Sequence, residues 1–86
     1  MELKNKLEEY IKLTETALKK VEKIKNKKAK ILISMAENYY KDALYFKKKK
    51  DYINAFAAIN YAHAFLDAAA LLGLIKSKNR KLFMVD

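Results

Sequence analysis

Cysteine, proline, tryptophan and glutamine are absent from this 86-residue chain, and glycine, arginine and histidine occur once each. Without Cys there is no disulfide framework and no thiolate metal site, and the redox compartment is left open. Without Pro, and with a single Gly among 52% apolar residues, the chain points to long helices joined by short loops. Acid is scarce too: 10 Asp and Glu stand against 19 Lys and Arg, a net charge of +9. The first residues, MELKNKLEEY, hold no apolar run of the kind a secretory signal needs. A membrane-spanning segment is also missing. The longest charge-free run, Tyr52 to Leu66, contains Asn54, Asn60 and His63 and ends at Asp67. A charge that deep in an apolar span costs about 2.5–3.5 kcal/mol. The expectation is a single cytoplasmic domain over residues 1–86 with no membrane contact.

What is present is organised around Tyr52 to Gly73, YINAFAAINYAHAFLDAAALLG. Only Asn54, Asn60, His63 and Asp67 are distinctly polar, and the strict alternation of a half-buried strand is missing. A helix apolar almost all round needs neighbours on more than one side. Asp51 supplies an N-cap and Gly73 a left-handed stop. This is the central helix of a small bundle.

Earlier in the chain, Leu3, Leu7, Tyr10, Thr14, Ala17, Val21 and Ile24 follow one another at steps of four and three. Ile11 and Leu18 widen this seam, and the opposite face is Lys and Glu. Continued unbroken, the seam would demand Lys28, Ile31, Met35, Asn38 and Asp42. The stripe that follows is instead Leu32, Ala36, Tyr39, Ala43 and Phe46, one residue out of phase. A break near Asn26, which tolerates left-handed backbone, fits the shift. The predicted helices cover about 2–25, 29–48 and 52–73, with Met35, Tyr40 and Leu44 broadening the apolar face of the second. Residues 74–86 form a tail that ends Leu82-Phe83-Met84-Val85-Asp86. The fold class is an all-α, three-helix up-and-down bundle with left-handed packing and a short extended C-terminal tail.

Residues 36–73 resemble the archaeal family known as the domain of unknown function DUF357. The resemblance is carried by Ala36-x-x-Tyr39-Tyr40-x-Asp42-Ala43, the Asp51-Tyr52 turn, Tyr61-Ala62-His63-Ala64-Phe65-Leu66-Asp67-Ala68 and the closing Leu82-Phe83-x-Val85-Asp86. It implies a three-helix bundle and no particular activity. A likeness to one tetratricopeptide unit is weaker, because such arrays need about three units to be stable. An Arg-x4–6-His ribonuclease motif is missing, since the sole Arg, Arg80, follows His63.

Three sets of residues are candidates for function. Asn60, His63 and Asp67 line one side of the central helix. With no third ligand or nucleophile nearby in sequence, the structural reading is preferred: an i,i+4 pair on the least buried edge, worth a few tenths of a kcal/mol. No catalytic, cofactor or metal role is assigned, and no enzyme activity is expected. Tyr39 and Tyr61 read as core, while Tyr40 and Tyr45 are open to stacking on bases.

The second set is basic. An up-down-up bundle gathers Lys19, Lys20, Lys23, Lys25, Lys27, Lys28 and Lys30 at one pole with Lys76, Lys78, Arg80 and Lys81. Clustered base suits a polyanion such as RNA or DNA, although lysine at the end of the first helix also complements its dipole. With one Arg in the chain, base-specific recognition is disfavoured. The third set, Leu82, Phe83 and Val85, is too apolar to leave in water and is a candidate for self-association. The leading reading is a non-enzymatic module that binds itself or another protein. The alternative is a weak, sequence-independent nucleic-acid binder.

Overall fold

Three α-helices follow one another: α1 (Glu2–Val21), α2 (Lys27–Lys48) and α3 (Tyr52–Leu71). The structure is a computed structural model that describes residues 2–22 and 24–75, and no strand occurs among them. At about 1.5 Å per residue, α2 is about 33 Å long, close to the 36 Å longest dimension of the molecule. The helices therefore lie side by side, as the apolar periodicity predicts for an all-α bundle.

Along α1 the expected seam is buried at Leu7, Thr14, Ala17 and Val21, and Ile11 joins it. Glu2 lies in its first turn and Lys19 and Lys20 in its last, so the charges complement the helix dipole. The break falls where the seam loses phase, but its chemistry differs from expectation. Helix α1 stops at Val21, and the Ile24 N–H donates to the Val21 carbonyl at 3.1 Å. Asn26 is extended (φ −62, ψ 128) and not left-handed. Its side-chain oxygen accepts from the Ala29 N–H at 3.0 Å, capping α2. The free N–H groups at a helix start need an acceptor, and that need decides the role of Asn26.

The α2–α3 turn is tight. The Lys50 N–H bonds the Lys47 carbonyl and the Asp51 N–H bonds the Phe46 carbonyl, both at 2.9 Å, which closes α2 in a Schellman motif. Lys50 occupies the left-handed position with φ 63, which usually falls to Gly. Asp51 at once caps α3, accepting from the Asn54 N–H at 3.2 Å. The far end of α3 closes in the same way. Gly73 (φ 74) donates to the Ala70 carbonyl and Leu74 to that of Ala69.

Helices α2 and α3 make the most intimate pair, and alanine is the reason. Ala29, Ala36 and Ala43 recur at heptad spacing on α2, and Ala55, Ala62 and Ala69 do so on α3; each is fully buried. Each α2 member is as far before Lys49 as its α3 counterpart is after it, so an antiparallel hairpin brings the two series level. Side chains this small let two backbones approach closely. Helix α1 packs on this hairpin through larger groups, with Leu7 and Ile11 in one core cluster and Val21 in the other. The rings of Tyr10 and Phe56 meet at 5.3 Å.

Because α2 is flanked by both α1 and α3, its buried arc centres on Ala29, Ile33, Ala36 and Ala43. Met35 and Leu44, expected on the buried face, are instead exposed. Between α1 and α2 run two depressions of about 300 and 390 Å³ that share Leu18, Glu22 and Glu37.

Candidate functional site

Helix α3 runs from Tyr52 to Leu71 between the cap at Asp51 and the left-handed Gly73, and its sequence contains one charged residue, Asp67. Burying the alanine series against α2 turns the helix so that Phe56 and Ile59 lie toward α1 and Phe65 toward α2. What remains outward is Ile53, Asn54, Ala57, Asn60, Tyr61, Ala64, Leu71 and Leu72, all exposed. Ile53 is 76% exposed, Leu72 70% and Tyr61 59%. Asp67, three residues after Ala64 and four before Leu71, borders the face with its side chain 20% exposed, but none of these exposed residues is charged. Among exposed helix faces of a chain one-third charged, that is unusual. Exposed apolar surface gathered along one helix marks an interaction site more often than scattered exposed residues do.

The basic pole has a different character. Lys19, Lys20, Lys25, Lys27, Lys28 and Lys30 are all exposed around the end of α1 and the start of α2. Lys19 is held by Glu15 at 3.5 Å. Lys27, Lys28 and Lys30 sit in the first turn of α2, which has no acid to complement the dipole. Lys23, Lys76, Lys78, Arg80 and Lys81 lie outside the described residues, as do Leu82, Phe83 and Val85.

Asn60, His63 and Asp67 do not share an exposed edge. Asn60 is on the outward face, whereas His63 and Asp67 are half-buried, their side chains 26% and 20% exposed. His63 Nδ1 meets Asp67 Oδ2 at 3.1 Å. Both lie on the flank of α3 that carries Phe56, which turns toward α1; the least buried edge of α3 is the apolar one. Among the described residues, no three His, Asp or Glu side chains are grouped to hold a metal ion.

The tyrosines divide in the same way. Tyr39 is half-buried, its ring stacked on Tyr61 at 5.4 Å and on Phe65 at 5.7 Å, whereas Tyr61 itself is mostly exposed. Tyr40 reaches from α2 to α1, its hydroxyl donating to Glu15 Oε2 at 2.8 Å. Partial burial, and then the Glu15 carboxylate, push the Tyr40 hydroxyl up to about 12. The same bond, with Lys19 nearby, holds Glu15 below the usual carboxylate range. Tyr45 is exposed, with Lys49 Nζ 5.7 Å from its ring centre.

These features define a small all-α bundle with a charge-free outer helix face and no grouped metal ligands among the described residues. The family profile of DUF357, "Protein of unknown function", matches residues 9–75, and the chain belongs to that family. No curated protein and no solved structure is a significant match to the chain. Among the described residues, no helix is long and apolar enough to cross a membrane.

Proposed function

We propose that this chain is a non-enzymatic protein-interaction module that works through the outward face of α3. The observation that carries the reading is the uncharged surface from Ile53 to Leu72 on a chain of net charge +9. A polyanion gains little from a neutral apolar face, whereas a protein surface of similar character gains roughly 25 cal/mol for each Å² covered. A photo-crosslinking residue at Asn60, introduced in cells and compared with one at Glu9 on α1, tests it. The expected result is a covalent protein adduct at position 60 alone, identified by mass spectrometry. Equal labelling at both positions, or none at position 60, overturns the reading.

A second reading rests on the start of α2. Lys27, Lys28 and Lys30 oppose the dipole there, each at a cost of about 0.3–1 kcal/mol, which an anion would offset. A weak, sequence-independent RNA or DNA contact at this pole follows. Binding to a generic oligonucleotide should then weaken steeply with salt, and a Lys27→Glu/Lys28→Glu variant should bind more weakly and with a shallower salt dependence. Salt-insensitive or undetectable binding removes this second reading.

A further inference from the structure

We infer that the occupant of the outward face of α3 is a second copy of the same chain, lying antiparallel across a two-fold axis level with Ala62. The inference rests on the protein-interaction reading above and names its partner.

Charge selects this face first. Two copies of a chain carrying +9 repel wherever their lysines meet. The outer faces of α1 and α2 all carry exposed charge, among them Lys12 and Glu9 on α1 and Lys41 and Asp42 on α2. The outward face of α3 carries none, so it allows approach without setting like charges in contact.

The face is also self-complementary. Ile53 and Leu71 are equally far from Ala62 on either side, and so are Asn60 and Ala64. An antiparallel pair centred there sets Ile53 against Leu71 of the other copy, twice, at the two ends. Between the ends lie the small side chains Ala57, Asn60 and Ala64, all exposed, with Tyr61 beside them, its ring stacked on Tyr39. The small residues along the seam let the helices approach, while Ile53 and Leu71 fill the ends and Tyr61 flanks the crossing. Asn60 is the seam's one amide, and a polar group inside an apolar seam fixes register. A two-fold arrangement needs one patch that satisfies itself, which this patch does.

The area falls in the lower part of the range for specific interfaces. Ile53, Tyr61, Leu71 and Leu72 are each more than half exposed, and with three small neighbours they offer on the order of 700 Å² per copy. A stable interface of ordinary size takes about 800 Å² per partner. Pairing would also cover the last side of a helix that is apolar almost all round.

The absence of Cys makes the test direct. An equimolar mixture of Ile53→Cys and Leu71→Cys chains, mildly oxidised, should give a cross-linked dimer, whereas Ile53→Cys alone should not. All these positions are exposed, so the variants should fold. In sedimentation the wild type should weigh twice the monomer, and Asn60→Lys should be monomeric with its helicity intact. Cross-linking of Ile53→Cys with itself, or a wild type monomeric at every concentration, overturns the inference. If the wild type is monomeric yet position 60 cross-links a different protein in cells, the self-pairing alone fails. If position 60 labels nothing, the interaction reading fails with it.

Discussion

Ala62 and Ala64 are two residues apart on one helix, and they live in different worlds. Ala62 is fully buried among the alanines that bring α2 and α3 together, while Ala64 is exposed on the outward face. Both faces of α3 are rich in Ala with larger apolar groups beside them, and neither carries a formal charge until Asp67. The difference between them is a partner. One side has α2 within this chain, and the other has no described neighbour. Where composition is the same on both sides of a helix, the covered side contributes stability and the open side contributes little.

The largest effect should come from breaking the covered side. Ala62→Leu forces a branched side chain between two helices at close approach and should destabilise by about 1–3 kcal/mol, read in denaturant titrations. A neutral result would mean that α2 and α3 are not held by their alanine series. The next effect concerns the turn that sets where both faces of α3 begin. Lys50→Gly relieves a left-handed backbone and should raise stability by about 0.5–1 kcal/mol; an unchanged melting temperature would show that the turn is unstrained.

Smaller still is the tie between α1 and the hairpin. Tyr40→Phe removes the hydroxyl that donates to Glu15 and should lower the melting temperature slightly. Glu15 is depressed in the folded chain, so its contribution is present above the unfolded pKa and lost as pH falls through the lower folded one. Tyr40 is raised from 10.0 to about 12, so its contribution is full below the unfolded value and lost as pH rises through the folded one. The gap between wild type and variant should therefore be widest from neutral pH up to about pH 10 and close at both extremes. A gap independent of pH would assign the loss to packing. The smallest effect sharpens the comparison most. Ala64→Leu, measured where the chain is monomeric, should change stability by no more than about 0.5 kcal/mol. A loss comparable to that of Ala62→Leu would put the two faces on equal terms.

Much of the bundle was legible in the sequence because periodicity is local. The seam of Leu7, Thr14, Ala17 and Val21 was readable at steps of three and four, and the phase shift after Ile24 marked the break. The caps at Asp51 and Gly73 follow from side-chain and backbone chemistry within four residues. The outer face was not legible in this way. An apolar run shows no dry or wet side, so from sequence alone Tyr61 reads as core and self-association falls to Leu82, Phe83 and Val85. The half-burial of His63 and Asp67 was hidden for the same reason, since polar residues on an apolar helix look like its exposed edge.

The sequence by itself determined three helices, their order and both ends of the third, because hydrogen bonds and apolar spacing act within a few residues. It also determined a strongly basic chain whose charge avoids α3. Only the tertiary structure decided which arc of α3 meets α2, and so which alanines are core and which are surface. The α2 and α3 alanine series, though each is visible as a heptad, gain meaning only when the turn at Lys50 sets them level. Rotation of a helix about its own axis is fixed by packing with segments distant in sequence, and a helix apolar almost all round gives no local signal to choose it.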